Sequence, residues 1–139
     1  MATTTATITI ASSDLTSSPL SLTHSSTLTK AATSTGLDVI EQGTKRSATA
    51  AAITVLDADL SGASWTANGS NKVYLANLGT SSTEYWTITL DSSTAEEVGR
   101  LYGGDWMFIP WAADSADDIV ATSSNTDMEI EYIVFADKV

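Results

Sequence analysis

Met128-Glu129-Ile130-Glu131-Tyr132-Ile133-Val134-Phe135 is the stretch that decides the fold. Met128, Ile130, Tyr132 and Val134 alternate with Glu129, Glu131, Ile133 and Phe135, the period of two that sends successive side chains to opposite faces of a strand. Glutamates on one face at the start and apolar residues on both faces at the end describe a strand that begins half wet and finishes covered. Working back along the chain, the same period recurs. Trp86, Ile88 and Leu90 point one way while Tyr85, Thr87 and Thr89 point the other. Lys72–Ala76 lies between Asn68-Gly69 and Asn77-Leu78-Gly79, both turn-rich. Gly103-Gly104-Asp105 turns the chain into Trp106-Met107-Phe108-Ile109, which Pro110 ends or places on a sheet edge.

Weaker strands complete the series. Ile119-Val120-Ala121 follows an acidic loop, and Ile53 and Val55 alternate within an alanine-rich run where β-branching favours strand over helix. Ala6, Ile8 and Ile10 alternate with threonines, and Leu20 and Leu22 alternate with Ser21 and Thr23 just after Pro19. One helical turn is expected at Ser93–Val98, where Ser93 and Glu96 form a capping box. Roughly eight short strands at intervals of about ten residues predict an all-β fold, an antiparallel β-sandwich or jelly roll.

Composition divides this fold in two. All ten aromatic residues lie at or after Trp65, whereas 22 of the first 49 residues are Ser or Thr. Aromatic side chains bury the most apolar surface, so the core is expected in the second half of the chain. The expected division is a Ser/Thr-rich extended arm, or partner-contacting strands, over 1–50 and a sandwich domain over 51–139.

Charge and residue inventory exclude several function classes. The 139 residues carry 17 Asp and Glu against 6 Lys and Arg, a formal net charge of -11, which disfavours a nucleic-acid partner. There is no cysteine for a disulfide, thiolate metal site or thiol nucleophile. No apolar run approaches the roughly 20 residues of a membrane helix. Met1–Thr5 has neither a basic start nor an apolar stretch, so no secretory leader and no membrane partner are expected.

The candidate chemistry is thin. His24 is the only imidazole, in Leu22-Thr23-His24-Ser25-Ser26, and with no nucleophile elbow it reads as an exposed strand-end histidine. Asp57-Ala58-Asp59-Leu60-Ser61-Gly62 resembles the opening of a calcium loop, but its twelfth position is Asn68, so a turn is the better reading. Asp114, Asp117 and Asp118 share one loop with no apolar surroundings to separate their pKa values, and read as a solvated face or a patch for a basic partner. Asn68-Gly69-Ser70 reads as a turn rather than a glycosylation site. No catalytic residue, cofactor or metal site is expected.

The tryptophans decide between the remaining readings. Trp86 and Trp106 lie in alternating apolar strands and are expected in the core. Trp65 and Trp111 lie at strand ends beside loops, where they suit a protein interface or the platform of a carbohydrate-binding module. The expected interface set is Ile8, Ile10, Leu20, Leu22, Trp65, Trp111, Ile133 and Phe135.

Four stretches carry a resemblance: Lys72–Gly79, Trp86–Thr89, Gly103–Trp111 and Glu129–Phe135, with Ser13-Asp14-Leu15, Ser26–Lys30 and Gly36-Leu37-Asp38 before them. Together they resemble small virion structural proteins of tailed bacteriophages. The resemblance implies a non-enzymatic, multicopy and trimeric component of the particle, made in the host cytoplasm. Its partners would be the major capsid protein or other virion proteins, and itself. The leading expectation is a capsid decoration, or cement, protein. The alternatives are a tail, neck or fibre component and a carbohydrate-binding β-sandwich module.

Overall fold

A computed structural model describes residues 3–14, 17–60, 63, 65–67, 69–90, 96–114 and 116–137. Ten strands and no helix occur among them: β1 (Thr5–Ser12), β2 (Leu20–Thr27), β3 (Val39–Ser47), β4 (Ala52–Leu56), β5 (Asn71–Asn77), β6 (Tyr85–Leu90), β7 (Glu96–Tyr102), β8 (Trp106–Trp111), β9 (Ile119–Ser123) and β10 (Met128–Ala136). The last eight form two four-stranded sheets, β3-β10-β5-β8 and β4-β9-β6-β7, and β1 pairs only with β2.

The pairing follows one rule. β3 pairs with β10, β4 with β9, β5 with β8 and β6 with β7, all antiparallel. These are the rungs of one long hairpin folded at the β6–β7 connection. Rolling it up sends alternate rungs to opposite sheets, and β10 then joins β5 while β9 joins β6. The result is a jelly roll, one of the architectures expected from strand spacing.

Inward-facing residues of the two sheets make the core. Val73, Leu75, Trp86, Ile88, Ile119, Ile130 and Val134 are fully buried and belong to one cluster. Burying each such side chain contributes about 1.5–3 kcal/mol relative to exposure. That cluster runs from Val55 to Ala136, with Val39 at its margin, so neither strand of the β1–β2 hairpin contributes to it. Most of the core lies in the aromatic half, as composition predicts, but Val55 and Leu56 of β4 join it from the half without aromatic residues.

Two expectations need correction. The sandwich does not begin at residue 51, because β3 pairs with β10 over nine residues, Val39↔Ala136 to Ser47↔Met128. The β3 sequence is polar because this strand lies at a sheet edge and buries only one face. The helical turn is absent at Glu96–Val98, which open β7, while Ser93–Ala95 lie outside the described residues. The expected turn at Gly103-Gly104 is present. Gly104 has φ +84°, and a Cβ at Gly103 would lie 2.5 Å from the Ser81 carbonyl oxygen.

Each outer edge of the sandwich carries a device that discourages further strand pairing. Glu41 and Lys45 of β3 point inward, opposite Val134 and Ile130. β8 contains Pro110, which has no N–H to offer a new strand. The register of β4 shifts between Thr54 and Leu56, and that of β7 shifts where it meets Ile88 and Thr89.

Candidate interaction site

The β1–β2 hairpin has two chemically different faces. Ile8 lies opposite His24, Ile10 opposite Leu22 and Ser12 opposite Leu20, so Ala6, Ile8, Ile10, Leu20 and Leu22 share one side. The other side is a ladder of hydroxyls, where Thr7 Oγ1 lies 2.9 Å from Ser25 Oγ and Thr9 Oγ1 lies 3.4 Å from Thr23 Oγ1. The apolar face is open to solvent: Ile10 and Leu22 are 50% and 52% exposed, Leu20 41% and Ile8 36%. Neither strand contains Asp, Glu, Lys, Arg, a proline or a register shift, and His24 is the one imidazole on this face. A two-stranded ribbon in water is marginally stable at best, so this one depends on attachment at its root.

The root is well tied. Leu28 and Leu37 are buried beneath it, with Leu28 N donating to Thr4 O at 2.8 Å and Leu37 N to Leu28 O at 3.0 Å. Lys30 Nζ bridges Asp38 at 2.9 Å and Asp137 at 3.0 Å, which joins the hairpin to the end of β10. The Lys30 pKa is raised, first by its hydrogen bond to Asp38 and then by that to Asp137. Ser70 Oγ donates to Thr29 O, a second tie to the sandwich.

Beside the root lies an aromatic sheet face. The registers place Ile133, Tyr74 and Phe108 in one row across β10, β5 and β8, flanked by Phe135 and Trp106. Tyr74 and Trp106 have ring centroids 6.1 Å apart, and Phe108 meets Phe135 edge-on at 6.1 Å. Trp106 is 53% exposed and Ile40, paired with Phe135, is 60% exposed. A cleft of about 270 Å³ separates Ala6, Thr7 and Ile8 of the hairpin from Tyr74, Trp106 and Phe108.

The expected interface residues therefore divide. Ile8, Ile10, Leu20 and Leu22 form the exposed hairpin face, and Ile133 and Phe135 lie partly buried on the aromatic face. Trp65 and Trp111 do not belong to it. Both are buried in the core, their rings 5.3 Å apart and tilted by 60°, and the Trp111 indole N–H donates to Asp117 O at 2.6 Å. A sugar platform built on Trp65 or Trp111 is excluded by that burial. Trp106 corrects the opposite way, from expected core to exposed surface, because Met107, Ile109 and Trp111 take the inward positions of β8 opposite Leu75, Val73 and Asn71. Sequence reasoning missed Tyr74, Trp106 and Phe108 as surface groups. No local signal marks them, because Trp106–Trp111 is apolar on both faces and Pro110 marks only an edge, not the outward face.

Elsewhere the polar groups hold loops together. Asp57 Oδ1 accepts from Asp59 N at 2.9 Å, a local turn, while Ser61, Gly62 and Asn68 of the calcium-like stretch and the sequon lie outside the described residues. Asp118 Oδ1 accepts from Ala58 N at 2.9 Å. His24 is exposed opposite Ile8. No group of three or more His, Asp or Glu placed to hold a metal ion occurs among the described residues. Between β3 and β4 an opening of about 230 Å³ is lined by Glu41, Lys45, Trp65 and Tyr132. Burial, and secondarily the Glu41 charge, raises the Tyr132 pKa.

Compared with family models, curated proteins and solved structures, the chain matches none of them.

Proposed function

We propose that this chain is a non-enzymatic structural protein of a tailed-bacteriophage particle, one that binds the assembled capsid shell in many copies and stabilises it. The observation that carries the reading is the hairpin: an uncharged, two-stranded ribbon outside the core, with four large aliphatic side chains in solvent. Such a surface is costly to maintain in a free monomer and has its use in contact with another protein. The sandwich, by contrast, is closed, and its edges are guarded against casual pairing.

Charge supports the same role. A net charge of -11 keeps an outward-facing protein soluble and suits it to a basic receiving surface on the shell. The jelly roll adds support at the level of fold alone, since it serves both capsid proteins and lectins.

The test is location. Antibody raised against the purified chain should label intact particles evenly over the shell. Label confined to the tail would move the protein to that station, and particles without label would overturn the virion reading.

A further inference from the structure

We infer that the hairpin tip of one copy of this chain docks in the cleft between the hairpin root and the aromatic face of a second copy. The inference rests on the reading that the hairpin is an assembly element, and it names the occupant.

The two surfaces are complementary in chemistry. The tip presents Ile10, Leu20 and Leu22, and the cleft presents Ile8, Tyr74, Trp106 and Phe108. They cannot satisfy each other within one chain. Ile8 already stands at the cleft, and the ribbon continues away from it by roughly 3.4 Å per residue, which carries the Ser12–Leu20 end roughly 14 Å further out. The tip of another copy has no such constraint.

Charge permits a second copy at this one place, where both the docking face and the cleft lining lack Asp, Glu, Lys and Arg. Two chains of net charge -11 repel, and contact between them is least opposed where neither side brings charge. The apolar face of the hairpin is that place: β1 and β2 carry no Asp, Glu, Lys or Arg, His24 lies back from the tip opposite Ile8, and Asp14 stands off this face in the connection between the strands. A basic partner would be drawn instead to the acidic surface elsewhere on the chain. The contact joins two different surfaces, so repetition closes into a ring or runs on head to tail.

Light scattering over a concentration series tests this, with Leu22→Lys removing the tip and Trp106→Lys removing the cleft. Both positions are exposed, and circular dichroism of each variant checks that the sandwich is intact. The wild type should associate, and each variant should do so about a hundredfold more weakly or worse. An equimolar mixture of the two variants should form a complex of twice the monomer mass, because one intact tip then meets one intact cleft. A wild type monomeric throughout, an oligomer unaffected by either variant, or a mixture that stays monomeric would each overturn the inference. Sedimentation with particles separates this from the virion reading. A monomer that binds particles removes only the second copy, and an oligomer that binds none removes only the shell.

Discussion

Ile10 and Leu22 face each other directly across the hairpin, each about half exposed, beside a sandwich whose core is closed without them. Replacing either by Ser should therefore change the intrinsic stability of the sandwich by less than about 0.5 kcal/mol. Association adds stability by mass action, so the wild-type Tm should rise with protein concentration, and the Tm of Ile10→Ser or Leu22→Ser should not. Differential scanning calorimetry at several concentrations reads both effects. A concentration-independent wild-type Tm would contradict the expectation.

Gly43 lies opposite Tyr132, and a Cβ at Gly43 would sit 2.7 Å from Tyr132 Oη and 2.9 Å from Cζ. Gly43→Ala should destabilise the fold by about 1–3 kcal/mol, the cost of overpacking. Tyr132→Leu should relieve most of that cost in the double variant, giving a coupling energy in a double-mutant cycle by urea unfolding. Strictly additive effects would show that the ring has room to move.

The Lys30 bridge gives a pH dependence. Its pKa is raised above the ordinary 10.5, so the stability it contributes is fully present below that value and is lost as pH rises through the folded-state value. The Tm difference between wild type and Lys30→Met should be constant from neutral pH to about 9.5 and shrink above 10.5. A difference that grows with pH in that range would reverse the sign and contradict the assignment.

Trp106 and Trp111 should respond in opposite fashion to truncation. Trp111→Ala removes a buried ring that packs on Trp65 and bonds Asp117 O, at a cost of about 3–5 kcal/mol. Trp106→Ala removes an exposed ring and should cost less than about 1 kcal/mol in the monomer while weakening association. Chemical denaturation of both variants checks the ranking.

That pair also shows how far the sequence could be read. Trp106-Met107-Phe108-Ile109-Pro110-Trp111 is apolar on both faces, so alternation identifies a strand but leaves its inward face open. The parity was set by pairing with Val73 and Leu75, which no local pattern displays. β3 and β7 escaped notice for a related reason. Both are edge strands, where charged residues such as Glu41, Lys45, Glu96, Glu97 and Arg100 interrupt the apolar period. Strands buried on one clean face, β6 and β10 above all, were legible residue by residue. The hairpin was legible as strands, but its cleft was not, because Ile8 and Phe108 are a hundred positions apart in the chain.

Co-sedimentation with particles in a density gradient, comparing the full chain with residues 28–139, reads attachment through the hairpin without an intermediate step. The shortened chain keeps every strand and core residue of the sandwich. The full chain should travel with the particles at saturable stoichiometry, and the shortened chain should stay near the top of the gradient. Equal sedimentation of both would show that the hairpin has no part in attachment, and a full chain that never leaves the top would contradict the role in the shell.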